Sequence, residues 1–178
     1  ADLAMYQAKR NGKGRYETCE PAMQDRLMRS LDLDADLRRA VERDDFLLLY
    51  QPILDLDDGR IRAAEALVRW RHPERGSFLP DDFVPLAEET GLIVPIGGWV
   101  LQEACRQAAE WNTRRAGPQP LTVSVNLSAR QLQLPGLPNV VAQVLSDTGL
   151  DPACLILEIT ESQLLHDTDV MISRLREL

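Results

Sequence analysis

Three oxygen-bearing side chains, Glu65, Asn126 and Glu158, each interrupt a short apolar run of the sequence. Glu65 opens Glu65-Ala66-Leu67 within A-E-A-L-V-R-W-R from Ala64 to Arg71, Asn126 lies near the end of L-T-V-S-V-N-L, and Glu158 lies in L-I-L-E-I-T. Runs of this length and composition, punctuated by Gly59, by His72-Pro73 and by Gly149, read as buried strands. Strand alternation then puts Glu65, Leu67 and Arg69 on one face, with Ala66, Val68 and Trp70 on the other. Likewise Asn126 stands opposite Val123 and Val125, and Glu158 opposite Leu157 and Ile159. Carboxylates and an amide oxygen converging at one sheet end suit Mg²⁺ or Mn²⁺ better than zinc. A guanidinium on the face of Glu65 would add a donor for an anionic substrate. The same spacing also fits a structural ion pair at Glu65 and an arginine ending its strand.

The elements that must position these residues follow in order. Phe46 to Leu56 reads as a strand turned by Asp57-Asp58-Gly59 into the strand of Glu65, and Pro52 confines it to an edge or a strand end, where Gln51 could meet a ligand. After a loop at His72 to Gly76, Pro80 to Thr90 reads as a helix stopped by Gly91. A longer helix follows Pro95, with Ile96, Val100, Ala104, Ala108 and Trp111 as its buried stripe. Pro138 to Thr148 is a further helix, with Val140, Val141, Val144 and Leu145 expected inside, and another begins near Val170. Strand, helices, strand, helix, strand, helix is the alternation of an α/β barrel or open parallel sheet, whose ligands bind at the carboxyl ends of the strands. Upstream, Pro21 to Arg43 is charge-rich and helical, and its three acids at Asp32, Asp34 and Asp36 suggest a break, a second helix near Ala35 and a solvated face. His72 reads as a loop histidine with no partner evident in the sequence.

A 178-residue chain that is 44% hydrophobic and 27% charged can build a real core. Its formal net charge of −8 argues against general affinity for nucleic acid or an anionic membrane, so a phosphate ligand must be held by local groups or a metal. No apolar run has the length of a membrane span, and a cytoplasmic location is expected, with the parent protein free to be membrane-anchored through upstream domains. Cys19, Cys105 and Cys154 are widely spaced and outside any Cys-x-x-Cys pattern, which suits ordinary thiols.

Ala1 to Tyr16, A-D-L-A-M-Y-Q-A-K-R-N-G-K-G-R-Y, closely resembles the last helix and strand of a GGDEF diguanylate cyclase domain, in which the lysine matching Lys9 touches a nucleotide phosphate. Phe46 to Leu178 resembles the first half of an EAL domain, the phosphodiesterase that opens the ring of cyclic di-GMP. The resemblance rests on Y-Q-P at Tyr50, E-A-L-V-R-W at Glu65, P-D-D-F-V-P-L-A-E-E-T-G-L-I at Pro80, S-V-N-L-S at Ser124 and L-E-I-T-E at Leu157, in the family's order. It implies an α/β fold: a partial TIM-like (β/α) barrel with an antiparallel first strand, truncated after about four strands and preceded by a helical linker. The implied domains are 1–19, the end of a GGDEF domain; 20–44, the linker; and 45–178, the first half of an EAL domain. It further implies Glu65, Asn126 and Glu158 as metal ligands and Gln51, Leu67 and Arg69 as contacts to the dinucleotide. Glu161 would steady a later loop.

The implied activity is two-metal hydrolysis of cyclic di-GMP, a water attacking phosphorus in line to give linear pGpG. A homodimer through the EAL domain is a further implication. Nothing here matches the family's later D-D-F-G-T-G segment or its subsequent lysine, glutamate and glutamine motifs. The expectation is therefore a piece of a longer protein, inactive alone, with the two-metal site formed only in the complete domain. The alternative is a parent that binds cyclic di-GMP as a non-catalytic receptor.

Overall fold

The computed structural model describes residues 21–115, 119–159 and 168–178. Helix α1, Pro21–Arg43, leads into an antiparallel hairpin of β1, Phe46–Leu54, and β2, Ile61–His72, and a short β3, Gly76–Phe78, folds back on the end of β2. Helices α2, Pro80–Thr90, and α3, Ile93–Arg114, cross to β4, Thr122–Asn126. A four-residue α4, Ala129–Leu132, and α5, Leu137–Thr148, lead through a 3₁₀ turn to β5, Leu155–Glu158, and α6 spans Thr168–Glu177. The sheet order is β1-β2-β4-β5, antiparallel in the first pair and parallel in the next two. This is the α/β half-barrel with a reversed first strand that the motifs imply, and β1 lies at the edge where Pro52 requires it.

The two faces of the sheet differ. Phe46, Ala64, Ala66, Trp70, Val123 and Val125 are buried beneath the helices, against Phe83 and Ala87 of α2 and Ile96, Val100, Ala104 and Ala108 of α3. Trp70 stacks on Phe78 at 4.8 Å between ring centroids and meets Phe83 edge-on at 5.9 Å, which fixes the end of β2 against α2. On the other face Leu49, Ile53 and Ile156 are exposed beside Gln51, Glu65, Arg69, Asn126 and Glu158. That open face carries the polar residues. The hairpin that begins it is closed by Arg62, whose guanidinium bonds Asp55 at 3.1 Å and Asp58 at 2.7 Å.

Several expectations need correction. The acids of α1 do not break it, because Asp34 and Asp36 pair with Arg38 and Arg39 one turn on and so support one continuous helix. Asp36 is also not on a solvated face: its side chain is 16% exposed and accepts from His72 Nε2 at 3.1 Å. His72 is itself buried, and its Nδ1 accepts from the backbone N–H of Glu74 and Arg75, so the ring proton lies on Nε2 and points at Asp36. The apolar side of the same helix places Leu37 and Ala40 in the core. Val140 is 45% exposed, since α5 turns Val141 and Val144 inward instead. The loop after His72 contains β3, a strand too short to announce itself by alternation. Cys105 and Cys154 are buried free thiols, and burial pushes that of Cys105 up to about 11; Cys19 lies outside the described residues. Among the described residues no helix is long and apolar enough to cross a membrane.

The hydrogen bond from His72, aided by Arg39 and Arg75, holds the Asp36 carboxyl below the usual carboxylate range against the opposing effect of burial. A depressed folded-state value stabilises the fold fully above the unfolded value near 3.8, and that stabilisation is lost as pH falls through the folded value. Urea midpoints measured from pH 7 to pH 2 should therefore fall below about pH 4. Asp36→Asn should lower stability at pH 7 by about 1–2 kcal/mol, the scale of a hydrogen bond to a charged group, and flatten that acid limb.

Candidate active site at the carboxyl end of the sheet

Register decides which side chains meet. Gln51 of β1 lies opposite Glu65, Glu65 lies opposite Ser124 of β4, and Asn126 lies opposite Glu158 of β5. All five side chains therefore project from the open face. Asn126 Nδ2 donates to Glu65 Oε1 at 2.8 Å, reaching back across two residues of register. Glu65 is the fifth residue of the twelve in β2 and so is not late in its strand, yet the parallel pairing with β4 ends at Ala66, and Asn126 closes the gap from the carboxyl end. Ser124, beneath this pair, is fully buried, with its hydroxyl unpartnered among the described residues.

The donated amide proton fixes the orientation of Asn126. Its Oδ1, the second oxygen of Glu65 and the carboxylate of Glu158 are the acceptors left on the open face, with no protein donor to any of them among the described residues. A hard divalent cation asks for this donor set of anionic and amide oxygens, which among the described residues has no thiol or imidazole beside it. The residues present fit such an ion.

Arg69 stands on the same face, four residues beyond Glu65, and makes no ion pair with it. Its Nη1 instead donates to the Val68 carbonyl at 2.8 Å, which leaves the remaining donors of the guanidinium for an anion. Glu65 makes no ion pair among the described residues, so the structural ion-pair reading of that carboxylate does not hold there. Leu67, between them, is half-buried and lines a cavity of ≈ 440 Å³ together with Asn126, Ser128, Gln131, Asp81 and Glu88. Gln51 is exposed, held outward because Tyr50 packs edge-on against Trp111 at 4.7 Å on the opposite face. Glu161 lies outside the described residues.

The loop after β4 was silent in the motif reading, although Ser128-Ala129-Arg130-Gln131 carries the S-x-x-Q signature of a helix start. In the fold, Ser128 and Gln131 bond reciprocally and are both buried. Arg130 donates to the Glu88 carbonyl at 2.6 Å at the end of α2.

A mixed α/β sheet, antiparallel in its first pair and parallel beyond it, with helices packed on one face and Glu65, Arg69, Asn126 and Glu158 on the other, has the architecture of part of an α/β barrel. The chain belongs to the EAL domain family, whose model matches residues 34–178. Among curated relatives it is 44% identical over 178 residues to the bifunctional diguanylate cyclase/cyclic di-GMP phosphodiesterase MucR of Pseudomonas aeruginosa, covering 100% of this chain and 26% of that protein. It is 40% identical over 177 residues to the cyclic di-GMP phosphodiesterase PdeR of Escherichia coli, covering 99% and 26%. The chain thus spans about a quarter of these relatives. Among solved structures, the MucR phosphodiesterase in complex with c-di-GMP superposes with a TM-score of 0.76 at 44% identity, covering 82% of this chain and 58% of that one. The FimX EAL domain of Xanthomonas citri in complex with c-di-GMP gives 0.71 at 25% identity, covering 89% and 59%.

Asn126→Asp replaces the donor facing Glu65 by a second carboxylate. In metal-free protein it should lower stability by about 1–2 kcal/mol through the lost charge-assisted bond and the new repulsion, read as a lower urea midpoint at neutral pH. Added Mn²⁺ should restore more of that midpoint in the variant than in the native chain.

Proposed function

We propose that the chain is the first part of a cyclic di-GMP phosphodiesterase domain, in which Glu65, Asn126 and Glu158 hold Mg²⁺ or Mn²⁺ and Gln51, Leu67 and Arg69 hold the dinucleotide. The single observation that supports this reading is the Asn126–Glu65 hydrogen bond on the open face, which uses the amide nitrogen and leaves the amide oxygen without a protein donor among the described residues. When bound, the cation supplies Lewis-acid charge neutralisation for phosphodiester hydrolysis. The chain's own residues do the rest. Arg69 presents its free guanidinium donors to a phosphate oxygen. Leu67 offers an apolar surface to a purine ring, and the Gln51 amide offers a donor and an acceptor to its polar edge. Glu161 supports the loop that completes the site.

Residues 1–19 are read as the end of a GGDEF domain and 20–44 as the linker joining it to the EAL domain at 45–178. That MucR, a bifunctional cyclase and phosphodiesterase, aligns over the whole chain supports this order. The site acts in the cytoplasm, where a cyclic dinucleotide messenger is made and read, and the domain pairs as a homodimer. Turnover requires the rest of the domain, since the chain covers 58% of the MucR phosphodiesterase structure. A receptor that binds cyclic di-GMP without cleaving it is the competing reading; the presence of Glu65-Ala66-Leu67 together with Asn126 and Glu158 favours the phosphodiesterase.

Calorimetry of this chain with cyclic di-GMP and Mg²⁺ should show binding without release of pGpG. In the complete domain, Glu65→Gln or Glu158→Gln should lower turnover by about a hundredfold or more. Full turnover in either variant would remove the metal-ligand assignment, and binding without turnover by the unmodified complete domain would establish the receptor instead.

A further inference from the structure

We propose that Gln131, seated on Gly97, is a positioning residue that holds Asn126 against Glu65. The inference rests on the metal-site reading for its consequence and on separate geometry for its content. Gln131 is 5% exposed, and its Oε1 accepts from both the backbone N–H of Ser128 at 3.1 Å and the Ser128 hydroxyl at 3.0 Å. The Ser128 hydroxyl accepts in turn from the Gln131 N–H at 3.2 Å. These bonds close a reciprocal box that begins two residues after Asn126. Between them, Leu127 is buried and its N–H donates to the Glu158 carbonyl at 2.8 Å. Leu127, Ser128 and Gln131 are thus each tied by backbone or buried side-chain bonds.

Gly97 in α3 is what lets the amide sit there. A Cβ at that position would lie 2.1 Å from Gln131 Nε2 and 2.6 Å from its Cδ, so any larger residue displaces the whole group. Burying a polar amide against a helix backbone has a cost unless hydrogen bonds offset it, and here Ser128 supplies two to the Gln131 oxygen. What that burial fixes is the direction in which β4 ends. Arg130 ties the same turn to α2 through the Glu88 carbonyl, so the loop is held from two helices at once. Partners one step removed from a metal ligand commonly set its orientation and the metal affinity.

The test uses the full 178-residue chain, Mn²⁺ as the probe and two readouts: Mn²⁺ affinity by calorimetry, and the side-chain amide NMR signals of Asn126 in metal-free protein. Gln131→Ala should weaken Mn²⁺ binding by about tenfold or more. It should also shift the Asn126 amide signals toward those of a free asparagine. Gln131→Glu keeps the acceptor oxygens for Ser128 and should stay close to the native chain in both readouts. Ser128→Ala, a milder change, should move both in the same direction as Gln131→Ala and serves if that variant does not fold. Native Mn²⁺ affinity and unshifted Asn126 signals in a folded Gln131→Ala or Ser128→Ala protein would overturn the proposal. Equal loss in the Ala and Glu variants would also overturn it, since the Glu side chain keeps both the volume and the acceptor oxygens through which Gln131 is proposed to act. If the native chain binds no Mn²⁺, the metal reading fails, and the Asn126 signals still decide whether Gln131 positions that side chain.

Discussion

The register of the three parallel strands is the constraint on which the site depends. Glu65 stands opposite Ser124, and Asn126 opposite Glu158, only because β2, β4 and β5 are aligned as they are. A slip of one residue in β4 would turn Asn126 toward the helices and put Val125 on the open face. The apolar set resists that slip, since Val123 and Val125 are buried among Ile96, Val100 and Ala104 and have no comparable place on the other side. The core therefore specifies the site without touching it. Each valine that packs inward fixes a polar neighbour outward.

Alternation made most of this legible. The faces of Glu65, Leu67, Arg69, Asn126 and Glu158 follow from period-2 reading, because the apolar set of each strand packs toward the helices, even though Ser124 of β4 is buried on the other side as well. The contacts between strands do not follow. Nothing local to Ala64–Arg71 says that an amide 61 residues away donates to Glu65, and nothing in α1 says that Asp36 meets a histidine 36 residues on. Both partners are common surface types, and only the docking of one element on another turns them inward. Residue chemistry was visible, and long-range pairing was not. Two small-scale features lay between these extremes: the S-x-x-Q signature at Ser128 was readable, while its seat on Gly97 required the fold.

The helices show a second use of small residues. The outer face of the sheet and the inner face of α3 meet through Ala64, Ala66, Ala104 and Ala108, with Gly97 at the end nearest the site. Alanine at these positions brings α3 close to β2 and β4, and the large rings of Trp70 and Phe83 then fill the wider space beside α2. Gly97 of the same helix lies against the Gln131 amide and so joins the packing of the core to the loop at the carboxyl end of β4.

Electrostatics argue in the same direction as geometry. A chain with net charge −8 repels a doubly anionic dinucleotide at long range, and within about 10 Å at moderate ionic strength the local charges decide instead. Among the described residues the carboxylates of Glu65 and Glu158 stand on the open face with the Arg69 guanidinium, and the two carboxylates by themselves would disfavour a phosphate. A divalent cation held by Glu65, Asn126 and Glu158, as proposed above, would offset them. Anion recognition at this face would then be coupled to cation binding. Linkage makes such an effect reciprocal: the factor by which a bound cation would raise the affinity for the anion is the factor by which a bound anion would raise the affinity for the cation.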